Sequence, residues 1–167
     1  SGRRQAWQYA EGLRGYLGEA LAALSTAEPV IPLFEGEQSV GPGHETFAEG
    51  EGAHWVVAWT EEGGLLRESY VNLIPTSAGG THESGLREGL FAAVKGFIEL
   101  HNLQPKGVKL LPEEVFARAS FVLSARVLDP QFQGQIKERL NSFSYTHPRA
   151  HQTVLDLVCR LLPEQKK

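Results

Sequence analysis

The chain has one cysteine, Cys159, and no methionine. A lone thiol cannot form an internal disulfide, so a reducing cytoplasm is the default compartment and the fold has to be held by a packed core. No apolar run approaches the ~20 residues that a bilayer-spanning helix needs, and no signal peptide opens the chain, so no membrane segment is expected. Internal repeats and low-complexity tracts are also missing. The absence of methionine extends to position 1, so residues 1–2 (Ser1-Gly2) are expected to be a cloning scar or cut end, and the chain a piece of a longer protein. What is present is ordinary: 167 residues, 41% hydrophobic and 22% charged, which suits one soluble domain with a core of useful size.

The net charge of −4 is unevenly spread. Every charged residue from Glu28 to Glu62 is a glutamate, whereas Lys95, Lys106, Lys109, Arg118, Arg126, Lys137 and Arg139 tip the later half toward the basic. Such a pattern fits a normal solvated surface, or a domain with one face toward polyanions and another turned away.

Periodicity places the elements. Ala6–Tyr9 is a possible edge strand. Gly12–Leu24 is predicted helical, with Leu13, Leu17, Ala20, Leu21 and Leu24 on one stripe. Val30–Phe34 is predicted as a strand, followed by a Gly- and Glu-rich loop over Gly36–Gly52. His54–Thr60 and Leu66–Asn72 read as two strands of a hairpin, with Trp55, Val57 and Trp59 on one face and Val56 and Ala58 on the other. Ser84–Asn102 is predicted as a helix capped by Thr81 or Ser84, with Leu86, Leu90, Val94, Phe97 and Ile98 at helical spacing. Pro112-Glu113-Glu114 opens a shorter helix. Ser120–Leu128 is predicted as a strand and Pro148–Leu162 as a last helix. The class is α+β: a single sheet with helices packed on one face.

Few stretches carry chemistry alone. Gly79-Gly80-Thr81-His82 could offer backbone amides to an anion or cap a helix; it lacks the Lys-Ser/Thr of a P-loop. His147 and His151 have the spacing of a helical metal pair, but no third ligand is evident, so no metal site is expected. Cys159 reads as a buried thiol, and Trp55 and Trp59 as core. No Ser/His/Asp or Cys/His set is supported. In "DPQFQGQIKERL", Gln135 and Lys137 stand two apart, and side chains two apart on extended backbone point the same way. The pair could grip an anion, or be part of a solvated loop.

Four runs carry a resemblance: "WQYAEGLRGYL" (Trp7–Leu17), "ESYVNLIPTSAGGTHESGLREGL" (Glu68–Leu90), "HNLQPKGVKL" (His101–Leu110) and "LSARVLDPQFQGQIKERL" (Leu123–Leu140). In this order they resemble the transducer domain of the ATPase subunit of bacterial type IIA topoisomerases, ParE of topoisomerase IV in particular. "GGTH" and "DPQF-x-GQ-x-K" are shared with the related gyrase B proteins. The resemblance fades after Asn141. Residues 3–147 are therefore expected to be the transducer, and residues 148–167 a helix and tail leading toward the TOPRIM cleavage domain.

The resemblance implies a ribosomal-protein-like fold with a left-handed βαβ crossover. It implies that Gln135 and Lys137 reach the γ-phosphate of ATP held by a preceding ATPase domain, Lys137 also stabilising the transition state of hydrolysis. Ile136 stands where the family has Thr, so any hydroxyl contact there is lost. The implied parent is a cytoplasmic, ATP-hydrolysing DNA topoisomerase that relaxes and decatenates DNA and serves chromosome segregation. Its partners would be a second copy of itself, the ParC protein of topoisomerase IV and duplex DNA without sequence preference. Mg²⁺ belongs to the parent, and the chain alone should not turn over ATP. Lys95, Lys106, Lys109, Arg118 and Arg139 become candidate DNA contacts. Other middle domains of the same ATPase superfamily (gyrase B, mismatch-repair or chaperone type) and a stand-alone nucleic-acid-binding module are the alternatives.

Overall fold

The computed structural model describes residues 9–25, 32–43, 47–103, 107 and 109–142. The chain runs α1 (Gly12–Leu24), β1 (Phe34–Ser39), β2 (Gly52–Trp59), β3 (Arg67–Val71), β4 (Ile74–Pro75), α2 (Thr81–Leu100), α3 (Pro112–Ala117), β5 (Ala119–Arg126), β6 (Gln131–Gln133) and β7 (Arg139–Ser142). Five strands form one sheet in the order β1-β2-β5-β3-β4, and β6 and β7 form a separate hairpin. The α+β class agrees with the sequence reading. The expected edge strand at Ala6–Tyr9, of which only Tyr9 is described, and the expected helix at Pro148–Leu162 lie outside the described residues.

β5 organises the sheet. It pairs antiparallel with β2 on one side and parallel with β3 on the other. The expected hairpin between β2 and β3 is therefore wrong, because β5 inserts between them. The local turn after Thr60 looks like a hairpin signal, yet the Leu66 carbonyl accepts from the Phe121 amide instead. A strand as apolar as β5 is better buried on both sides than left at an edge. Parallel β3 and β5 are joined through β4, α2 and α3, which makes a crossover unit.

Helices cover both faces of the sheet, not one. Trp55, Val57, Phe121 and Leu123 pack with Leu86 and Leu90 of α2 and Phe116 of α3. Val56, Ala58 and Val122 point the other way and pack with Leu17 and Leu21 of α1. The alternation along β2 matches the sequence pattern; both of its sets are apolar, so each needs a cover. In α2 the apolar stripe outlasts the cover. Leu86 and Leu90 are buried but Phe97 is 57% exposed, because a twenty-residue helix of roughly 30 Å overshoots the sheet.

Boundaries moved where local chemistry was unrecognised. The first strand begins at Phe34 and runs through the expected loop, pairing Phe34–Ser39 with Gly52–Val57. Gly36 makes this possible, since the Trp55 indole lies across it. α2 starts at Thr81 with Gly80 as its N-cap residue, and no side chain caps it; the Ser84 hydroxyl donates back to the Gly80 carbonyl. The β3–β4 turn places Asn72 and Leu73 at φ 50 and 67, the two-residue turn whose twist suits a hairpin.

A Cβ at Gly36 would lie 2.5 Å from Trp55 Cζ2 and 2.7 Å from Cε2. Gly36→Ala should cost about 1–3 kcal/mol by forcing a buried indole off its site. Chemical denaturation reads this directly, and an unchanged midpoint would mean that β1 yields freely.

Candidate functional site

The site is the turn between β6 and β7. Both Gln135 and Lys137 are exposed there. The turn does not have the extended backbone assumed from their spacing. Gly134 and Lys137 sit at φ 78 and 58, so the chain reverses between them and a period-two argument does not apply. A non-glycine residue in the left-handed region costs about 1–2 kcal/mol, and such outliers persist only where the surroundings impose them. The Lys137 ammonium stands 5.9 Å above the Phe132 ring, a weak cation–π contact. Ile136 is 79% exposed at the same turn, in contact with no core.

The legs of the hairpin are fixed. Leu140 is 1% exposed and fills a cluster with Val71, Ala125 and Val127, against which Phe132 packs. The Ala78 amide donates to the Glu138 carbonyl at 2.9 Å, and the Leu140 amide to the Gly79 carbonyl at 3.1 Å. Gly80 bridges Leu140 in parallel, and a Cβ on Gly80 would lie 2.8 Å from the Leu140 nitrogen. The Gly79-Gly80 pair is thus used for close backbone approach to the hairpin. The amides that lead into it are engaged, Ala78 by the Glu138 carbonyl and Gly79 by the Thr76 carbonyl.

Behind these glycines lies a buried polar chain. The Ser69 hydroxyl donates to Glu83 Oε1 at 2.6 Å and lies 2.8 Å from Thr76 Oγ1. Thr76 Oγ1 donates to the Ser69 carbonyl at 2.9 Å and lies 2.9 Å from His82 Nε2. With the Thr76 proton committed to Ser69, His82 Nε2 must be the donor to Thr76. His82 is 1% exposed, and its Nδ1 has no partner among the described residues. Burial pushes its pKa down to about 4, so the ring is neutral at ordinary pH. Sequence reasoning missed this set. Its one signal is Ser69, a hydroxyl that alternates with Val71 at the buried positions of β3 and has to find a polar partner.

The basic residues do not gather. Lys95 on α2 stands 3.8 Å from Glu99, both more than half exposed. Lys109 is exposed ahead of α3, and Arg118 is exposed at the end of α3. Arg139 opens β7 and is exposed. Arg118 and Arg139 flank opposite ends of β5, about 25 Å apart at strand rise. Lys106 lies outside the described residues, as do His147, His151 and Cys159. Arg126, counted with the basic half, pairs with Glu37 of the glutamate-only stretch at 3.1 Å.

Residues 12–160 match the family described as DNA gyrase B. The chain belongs to the DNA gyrase B family. Among curated relatives it is 48% identical over 141 residues to the B subunit of DNA topoisomerase 4 from Salmonella typhimurium, and 46% identical over 145 residues to that from Pseudomonas aeruginosa. These alignments cover 83% and 85% of this chain but only 20% and 21% of the relatives, so the chain spans about a fifth of their length. Among solved structures it resembles a topoisomerase IV ATP binding domain of Francisella tularensis in complex with a small-molecule inhibitor. There the TM-score is 0.66 at 32% identity, over 93% of this chain and 38% of that one. The 43K ATPase domain of Thermus thermophilus gyrase B shares the fold, with a TM-score of 0.66 at 22% identity over 89% of this chain and 37% of that one. This gyrase B family domain has, among its described residues, no helix long and apolar enough to cross a membrane.

The depressed His82 pKa has a signed consequence. Between pH 6.5 and 4 the unfolded chain binds a proton at His82 that the folded chain refuses, so stability falls as the pH drops through that window. The full penalty is about 3 kcal/mol. Unfolding free energies measured across this range should fall less steeply in His82→Gln than in the unchanged protein; equal slopes would rule out His82 as the source.

Proposed function

We propose that this chain is the transducer domain of ParE, the ATPase component of topoisomerase IV, coupling ATP binding and hydrolysis in an adjoining ATPase domain to DNA strand passage. The observation that carries this reading is the turn itself. Gln135 and Lys137 are exposed at the tip of a hairpin whose legs are locked into the core, and Lys137 is held at φ 58. An ammonium with three donors and an amide with two suit the oxygens of a terminal phosphate. They supply nothing for a base or a ribose, so the rest of the nucleotide and its Mg²⁺ fall to residues of the ATPase domain. Loss of the γ-phosphate on hydrolysis would release the tip, which gives the domain two states to report.

In the same reading the domain sits between the ATPase and TOPRIM domains of its own chain, beside a second copy of ParE and together with ParC. Duplex DNA passes the exposed basic residues. Lys109, Arg118 and Arg139 are the described positions best placed for phosphate contacts, since Lys95 already has Glu99 beside it. Contacts spread over different parts of the surface would suit a duplex that is guided rather than gripped at one point.

In the full-length protein, Lys137→Ala should slow ATP hydrolysis by about tenfold to a hundredfold, the worth of a charge-assisted contact of ~1.5–3 kcal/mol, without changing the thermal midpoint. Hydrolysis at the unchanged rate would remove the assignment. The isolated chain should show no ATPase activity and bind a non-hydrolysable ATP analogue only weakly in calorimetry, since one Lys and one Gln do not enclose a nucleotide. Micromolar binding would place a nucleotide site within this domain and refute that division of labour.

A further inference from the structure

We infer that Ser69, Thr76, His82 and Glu83 are positioning residues for Lys137, acting through the backbone of the Ala78–Gly80 segment. This inference rests on the proposed role of Lys137 at the γ-phosphate. The path is short and continuous. The Thr76 amide donates to the Ser69 carbonyl at 2.8 Å, and the Thr76 hydroxyl bonds Ser69 and His82. Thr76 fixes where the segment leaves β4. His82 and Glu83, in the first turn of α2, fix where it ends. Glu83 also lies against Gly79, where a Cβ would be 2.9 Å from its Oε2.

The residues between those two anchors hold the hairpin. Ala78 and Gly79 make the two backbone bonds to Glu138 and Leu140, and Gly80 bridges Leu140. Glu138 is the next residue after Lys137. Lys137 therefore precedes the residue whose carbonyl accepts from Ala78, two residues along the chain from Thr76. All four polar side chains point into the sheet–helix junction and none reaches the tip, so their influence is indirect.

The donors run one way: His82 Nε2–H to the Thr76 hydroxyl, the Thr76 hydroxyl to the Ser69 carbonyl, and the Ser69 hydroxyl to the Glu83 carboxylate. A carboxylate and a backbone carbonyl only accept, so Glu83 fixes the Ser69 proton and the Ser69 carbonyl fixes that of Thr76. A series with one allowed direction has one low-energy arrangement, and that is what a loop needs if its lysine is to meet a phosphate oxygen without searching.

The test is a double-mutant cycle in the full-length protein, read by ATP hydrolysis. Thr76→Val keeps the shape and removes the hydroxyl. It should lower kcat by ~threefold to tenfold, the worth of a neutral hydrogen bond. It should do almost nothing further in a Lys137→Ala background, because the group it positions is already gone. Thr76→Ser restores the hydroxyl and should restore the rate. If Thr76→Val does not fold, Ser69→Ala breaks the same series at its link to Glu83 and is read the same way. An equal fold-loss in both backgrounds, or no loss in the unchanged background, overturns the positioning role while Lys137 stands. Normal hydrolysis in Lys137→Ala alone instead removes the phosphate-sensing reading, and the inference with it.

Discussion

The strand that follows Lys137 runs in backbone contact with Gly80, closely enough that no side chain fits between them. Much of the arrangement depends on that approach. It lets the Ala78 and Gly79 segment bond to Glu138 and Leu140, and it lets Leu140 drop into the cluster of Val71, Ala125 and Val127. The cluster joins β3 and β5, the parallel pair at the end of the sheet from which the hairpin departs. Without the approach, β6 and β7 would be a two-stranded ribbon, and such ribbons are at best marginally stable alone. The exposed tip is well placed because its legs are not free.

The elements most legible in the sequence were those with strong periodicity and local stop signals. α1 matches its expected bounds, Gly12–Leu24, and α3 begins at Pro112 as its Pro-Glu-Glu start indicated. The two faces of β2 also came through, because alternation of Trp55, Val57 and Trp59 against Val56 and Ala58 is a property of the chain itself. Pairing partners did not come through. β2 and β3 are near neighbours in sequence, but β5 lies between them, and no local pattern encodes which distant strand will take a shared edge. The count of covered faces failed for a related reason: Val56 and Ala58 announce a second apolar face but not that α1 returns to fill it.

The candidate site was legible in part. Gln135 and Lys137 were singled out by motif, and the structure leaves both exposed at the hairpin tip. Their local geometry was not readable, because a lysine at positive φ carries no compositional mark as a glycine would. Gly79-Gly80 ends as the turn before the helix that one of its two readings expected, with Gly80 as the N-cap residue of α2, and it has a second use. Glycine before a helix suggests an anion nest or a cap, and only the three-dimensional path of β7 shows that the missing side chain of Gly80 also makes room for another strand. The hydroxyl series behind it spans Ser69 to Glu83, fourteen positions apart in sequence, and no spacing rule connects them.

Magnitudes decide how such a loop can transmit a signal. A charge-assisted contact to a phosphate is worth about 1.5–3 kcal/mol. Pulling Leu140 out of its cluster would cost about 2–5 kcal/mol, before the two backbone bonds at Glu138 and Leu140 are counted. The phosphate contact is the smaller of the two, so it cannot extract the base of the hairpin. What it can do is hold the whole anchored body in one orientation, because the tip, β7, β3, β5 and the start of α2 are tied together. In the proposed setting, gain or loss of the phosphate therefore moves this domain as a rigid unit against its neighbours rather than remodelling its interior. The buried bonds serve that purpose by making deformation more expensive than rotation.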